Sequence, residues 1–306
     1  MARSRLTVGG ALAALAAIAF GLVVPFTQRA GRGVGPFFTA AILYGGAALS
    51  SAAIAVVRRG RGPALLRGDA GRVVLVAVLG AAVAPTLLAW GLQRTAGTTA
   101  ALLLNFEAVF TVFLARLVWR ERLGRRLTVA VSCMTAGGAL LVQRATAGAG
   151  SSVWGALAIV VATLAWASEN VLSRPLAERD PFRVVLAKSC IGAALTGGLA
   201  LATHDRTAPA AGVLALGACG AAGYGLSLAL YLGAQRRVGA ARTASIFALA
   251  PFAGALAAWA LGDRALTGLT VGAALLFATS VALHLTERDA PAPASSDPER
   301  VRPARG

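Results

Sequence analysis

Two carboxylates and one ammonium group stand in stretches that are otherwise apolar. Glu107 lies about ten residues into an apolar run that begins at Gly97, and Asn105 stands two positions before it. Glu169 and Asn170 sit together near the end of a second run. Lys188, the only lysine among 29 basic residues, lies about two turns into a third. A charge at mid-bilayer costs roughly 2.5–3.5 kcal/mol even on lenient scales, so these groups must face protein or water and mark pathways or binding sites. A fourth place is Tyr224, Ser227 and Tyr231, whose i, i+3, i+7 spacing puts two phenols and a hydroxyl on one helical stripe. Gly217 and Gly220 extend that stripe and leave room for a ligand. Carboxylate, ammonium, amide and phenol groups around one cavity would recognise a zwitterion or another polar metabolite. A Glu–Lys pair there could also act as a switch, opened by substrate or by a proton.

Each of these residues also has a plainer reading. Lys188 could snorkel to the nearer surface along its aliphatic stem. Glu107 could be a neutral or hydrogen-bonded carboxyl holding two helices together. Glu169 could pair with Arg174 or Arg179 at the rim. The tyrosines could pack between helices, with Tyr231 as an interfacial anchor. Which glutamate meets Lys188 is open at this point.

The elements that must position these groups are membrane helices. Of the 306 residues 57% are hydrophobic and only 13% are charged, with a mean hydropathy of +0.72. That balance excludes an ordinary soluble domain. The net charge of +17 does not indicate nucleic acid, because the arginines lie in short breaks between apolar runs and not on one aromatic-bearing face. Cys133, Cys190 and Cys219 all lie inside apolar runs without ligand-like spacing, so no disulfide framework, metal or cofactor is expected. Residues 6–27 are too long for a signal-peptide core and are read as a helix.

Ten helices are predicted, at 7–28, 36–57, 72–93, 97–117, 126–143, 152–173, 182–203, 210–234, 241–261 and 267–286. Each approaches the ~20 residues that cross a bilayer core. The stretch 91–142 is written twice. Shifted by 142 positions it falls on 233–284, so that Gly91, Gln93, Arg94 and Gly97 meet Gly233, Gln235, Arg236 and Gly239. Five helices per half is an odd number, so the second half enters the membrane from the opposite side. The fold class expected is therefore an all-α integral membrane protein, a five-plus-five inverted repeat of the kind that supports alternating access. The first repeat covers 6–145 and the second 152–286, followed by a disordered tail at 287–306. Alternate breaks hold 21 and 6 basic residues, which puts both termini on the cytoplasmic side.

At this point the chain resembles the drug/metabolite transporter superfamily, and in particular its members with two EamA domains, over about residues 6–285. The carriers are Gly97-Thr98-Thr99-Ala100, the exit "LVWRERL" at 117–123, and "GAARTASIFALAPFAGALAAWALGD" at 239–263. The family usually has a proline in the middle of both of these helices. Pro251 fits, but "LLNFEAVF" at 103–110 has none, so a straighter helix is expected there. The resemblance implies export or uptake of small metabolites across the cell inner membrane.

The reading adopted is a secondary carrier, with export as the direction, for polar metabolites such as amino acids. It acts on Glu107, Lys188, Asn105, Glu169, Asn170, Tyr224 and Ser227, and proton coupling is compatible with a mid-membrane carboxyl. The partners expected are substrate, lipid and protons, not nucleic acid, and a homodimer is compatible with the sequence. A multidrug or organic-cation exporter is the runner-up, weakened by a cavity lysine that would repel a cation. An intramembrane serine protease built on Ser227 and His284 lacks a complete motif and leaves the repeat unexplained. A scaffold or receptor would tolerate loss of Lys188 and Glu107. His204 beside Asp205 reads as a solvated loop residue.

Overall fold

The computed structural model describes residues 2–58, 63–119, 125–146, 152–238, 243, 246–263 and 267–285. The predicted tail at 287–306, the basic stretch at 120–124 and the 239–242 entry to the ninth helix lie outside them, as does the side chain of His284. The described residues form ten helices and no strand. They are α1 (Ala2–Ala30), α2 (Pro36–Val57), α3 (Ala70–Ala77, Val78–Val83 and Ala84–Leu92 in succession), α4 (Gly97–Leu103, then Phe106–Trp119) and α5 (Arg125–Thr146). The second half holds α6 (Val153–Leu172), α7 (Pro181–Ala202), α8 (Ala210–Gly220, Ala221–Leu226 and Ser227–Val238), α9 (246–247, then Ala250–Ala260) and α10 (Gly268–Leu285). Proline marks several of the starts. Pro36 and Pro181 each open a helix at its first position, where the missing N–H is no loss and φ is preset.

The packing follows the duplication. Helix α1 lies on α8 and α9 just as α6 lies on α3 and α4, while α2 packs on α7, α4 on α9 and α5 on α10. Exchanging the halves maps this set of neighbours onto itself. With an odd number of helices per half, that is the two-fold of an inverted repeat. Small residues permit the close crossings. A Cβ at Gly46 or Gly220 would run into the backbone of Gly217 or Leu43 respectively. Gly217 and Gly220 therefore seat α2 against α8; the space expected there for a ligand is filled by a helix.

One expectation about shape is corrected. Helix α4 is broken at Leu104–Asn105 although it has no proline. The amide N–H groups of Leu104, Asn105, Glu107 and Ala108 bond three residues back, at 3.1–3.3 Å. The Asn105 side-chain amide donates to Leu102 O at 2.8 Å. This local side-chain bond competes with the helix ladder, as Asn does at caps and turns. In the second half the corresponding break, at 248–249, falls just before Pro251. The two halves reach one shape by different chemistry. Because of the break, Glu107 stands in the first turn of a new helical segment, where the macrodipole favours an anion.

Candidate functional site

Both halves contribute to a cavity of about 370 Å³ in the middle of the bundle. Its polar lining includes Glu107 on α4, Glu169 and Asn170 on α6, Lys188 on α7, and Tyr224 and Tyr231 on α8. Lys188 Nζ donates to Glu169 Oε1 in an ion pair whose side chains are only 17% and 9% exposed. That answers the question left open by the sequence: Lys188 does not snorkel, and its partner is Glu169. Arg179 pairs instead with Asp69, its Nε donating to Oδ2 at 2.8 Å. Asn170 Nδ2 donates to Glu107 Oε1 at 2.9 Å and lies 3.4 Å from Thr111 Oγ1. Two adjacent polar residues on α6 thus have separate partners on α7 and α4.

The seat of Glu169 is made by α3. Residues Val78–Val83 form a π-helical turn, in which the Ala84 N–H donates to Leu79 O and so passes over the carbonyl of Gly80. That carbonyl accepts instead from Tyr44 OH at 2.5 Å and Trp166 Nε1 at 2.9 Å. Gly80 also leaves the space that the Glu169 carboxylate occupies; a Cβ there would overlap it and push it aside. A second π-helical turn, Ala221–Leu226 in α8, carries Tyr224. Such turns often mark functional positions in helices. The two meet through aromatic contact: Tyr224 stacks on Tyr44 at 5.2 Å and meets Phe20 edge-on at 5.9 Å. Phe247 completes the wall, packing on Phe20 at 5.4 Å and on Tyr231 at 5.1 Å.

Two of the residues singled out from sequence have other employment. Asn105 is 3% exposed and bonds to Leu102 O; the break in α4 accounts for it. Asn105→Ala should therefore cost about 1 kcal/mol of stability, the net worth of one hydrogen bond, and leave ligand binding within a few-fold of wild type, as thermal unfolding and binding would record. Ser227 touches the cavity but donates its hydroxyl to Ala16 O at 2.9 Å, which fastens α8 to α1. Sequence reasoning missed Tyr44, Phe20 and Phe247 altogether and used Trp166 only as a neighbour of Glu169. The repeat carried a usable signal, since the 142-residue shift sets Phe247 opposite Asn105.

A vestibule of about 640 Å³ joins the cavity, sharing Glu169, Asn170, Lys188 and Tyr231 with it and running past Ser173, Arg179 and Gln235. At the opposite end of the bundle, side chains tie the helices together. Gln28 Nε2 donates to Leu92 O and Thr95 O, both at 2.8 Å. Gln93 Nε2 donates to Val34 O at 2.7 Å, and Asp263 Oδ2 accepts from the Thr98 N–H at 2.7 Å. The cavity is thus open towards one end and sealed from the other.

Known proteins place this architecture. A protein of solved crystal structure aligns with a TM-score of 0.64 over 91% of this chain and 96% of its own, at 20% identity, which is a likeness of fold. An uncharacterized transporter of Methanothermobacter thermautotrophicus is 29% identical over 143 residues, 45% of this chain and 42% of that protein. The aligned stretch therefore spans less than half of that relative. The model of the EamA-like transporter family matches residues 7–143 and again residues 153–286. Together with six helices among the described residues that are long and apolar enough to cross a membrane, these two matches make the chain a multi-pass membrane protein that belongs to the EamA-like transporter family.

Proposed function

We propose that the protein is a secondary carrier that exports small amine-bearing polar metabolites, amino acids and their close relatives, by alternating access between its two repeats. One observation carries this reading: Glu107, whose hydrogen-bond donor among the described residues is the Asn170 amide, shares a cavity with a separable ion pair, Lys188–Glu169. Glu107 is placed to take an ammonium group. Lys188 can exchange Glu169 for the substrate's carboxylate, and the rings of Tyr44, Tyr224 and Trp166 cover the apolar part. The released Glu169 or Glu107 would then carry the coupling proton. The 21-to-6 distribution of basic residues supports a cell inner membrane location with both termini cytoplasmic. In that orientation the vestibule faces the cytoplasm, which suits loading for export.

An organic-cation exporter is the second reading, and one observation favours it. Lys188 is paired with Glu169, which leaves Glu107, among the described residues, as the cavity carboxylate outside that ion pair, amid ring faces, a setting that suits cations. Thermal unfolding of the purified protein with three ligand sets separates the two: zwitterionic amino acids, the same side chains as amines without the carboxylate, and quaternary ammonium ions. Binding to the folded state raises the midpoint. The carrier reading predicts the largest rise for zwitterions, lost in Lys188→Met. Equal rises for quaternary ammonium ions with and without Lys188 would establish the second reading instead.

A further inference from the structure

Gln93 and Gln235 fall on each other when the two halves are superposed in sequence, yet their amides do different things. Gln93 Nε2 donates to Val34 O, fastening the end of α3 to the connection that leads into α2. The equivalent of Val34 can be read from the helix starts. Pro36 opens α2 behind Gly35, and Pro181 opens α7 behind Asp180, so Val34 corresponds to Arg179. The backbone supports this register. Gly35 N donates to Arg206 O at 2.8 Å, and Asp180 N donates to Pro63 O at 2.9 Å, the same bond made once at each end of the bundle. The bond that would complete the correspondence, from Gln235 to the Arg179 carbonyl, is not made among the described residues. Gln235 instead stands beside Tyr231, one turn earlier in α8, on the wall of the vestibule. Both Gln235 and Arg179 line the open vestibule.

We propose that Gln93 and Gln235 are the two latches of the transport cycle, each closing one end of the protein by donating to the carbonyl two residues before a helix-opening proline. Gln93 is engaged and its end is shut. Gln235 is disengaged and its end is open. In the opposite state Gln235 donates to Arg179 O and Gln93 releases Val34 O. Tyr231 ties the second latch to the cavity, because it lines both the cavity and the vestibule. A substrate that takes the Tyr231 phenol as a hydrogen-bond partner leaves the neighbouring Gln235 amide to Arg179 O, so occupancy favours closing the loaded vestibule. The proposal rests on the alternating-access reading above, but its test contains no substrate, so a wrong substrate class would leave it readable.

The test is thiol labelling of the full chain in native membranes, with the three native cysteines removed by Cys133→Ala, Cys190→Ala and Cys219→Ala. Two near-isosteric reporters are used singly: Thr27→Cys, 1% exposed at the closed end, and Ser173→Cys in the vestibule. An impermeant maleimide is applied to cells and to inverted vesicles. Removing one hydrogen bond shifts a two-state equilibrium by about fivefold. Gln93→Met is thus expected to raise labelling at the Thr27→Cys reporter about fivefold and to lower it at Ser173→Cys. Gln235→Met should shift both in the opposite sense, and the double variant should return both rates to within about twofold of wild type. The double variant guards against misfolding, which would raise labelling at both reporters and would not be corrected. An unchanged Thr27→Cys rate in Gln93→Met, or a double variant that fails to restore the balance, overturns the proposal.

Discussion

Lys188→Met is expected to destabilise the protein by ~3–5 kcal/mol, the cost of stranding one charge of a buried pair. The same change should abolish substrate movement. Adding Glu169→Gln should recover most of the stability and none of the transport. The pair lies on α6 and α7, with side chains 9% and 17% exposed, so solvent offers Glu169 little relief once its ammonium is gone. The double substitution removes the stranded charge and leaves a neutral amide beside Tyr44 and Trp166. Stability measured by denaturant titration in detergent, with transport measured in parallel, separates the two roles. If Lys188→Met is as stable as wild type, the pair is not held together in the way the structure describes. If the double variant transports normally, the pair is structural only.

Gly80→Ala is expected to reduce transport about tenfold, because it displaces the carboxylate of the Lys188–Glu169 pair. A methyl group there occupies the place of the Glu169 carboxylate, which must then swing out into the cavity it lines and away from its present seat. Tyr44 and Trp166 are both anchored to the Gly80 carbonyl, and Lys188 holds the other oxygen. The other relief, straightening the π-helical turn, would restore the Ala84 bond to Gly80 O and release both aromatic side chains into the cavity. At the neighbouring Gly45, where an added Cβ meets no atom within 4 Å, the same substitution should be silent. Comparing the two variants at matched membrane levels distinguishes a specific seat from a general intolerance of bulk.

Much of the architecture was legible because a bilayer imposes it. Helix ends fell within a few residues of prediction where Pro, Gly or Arg interrupts the apolar runs, as at Pro36 and Pro181. The duplication and the odd helix count then implied the inverted arrangement. The break in α4 was not legible, because an asparagine side chain produces it where proline was expected to. Of the site, the charged residues could be found because their cost in a membrane marks them, and they do converge. Their partners could not be assigned, since Glu107 and Glu169 are both carboxylates at similar depth and only the packing of α6 on α4, with Lys188 reaching in from α7, decides between them. Tyr44, Phe20 and Phe247 carry no such penalty in an apolar helix and so gave no warning. Ser227 and Asn105 each have a backbone carbonyl as partner; Ser227 also lines the cavity, and Asn105 is not among the residues that line it.

Whether Glu107 and Lys188 act on substrate is read from the extracellular metabolite profile of cells expressing wild type, Lys188→Met or Glu107→Gln at matched membrane levels. Wild type is expected to enrich a small set of amine-bearing metabolites outside the cell, and both variants to lose that enrichment. Enrichment of the same metabolites by either variant at the wild-type rate would contradict that role.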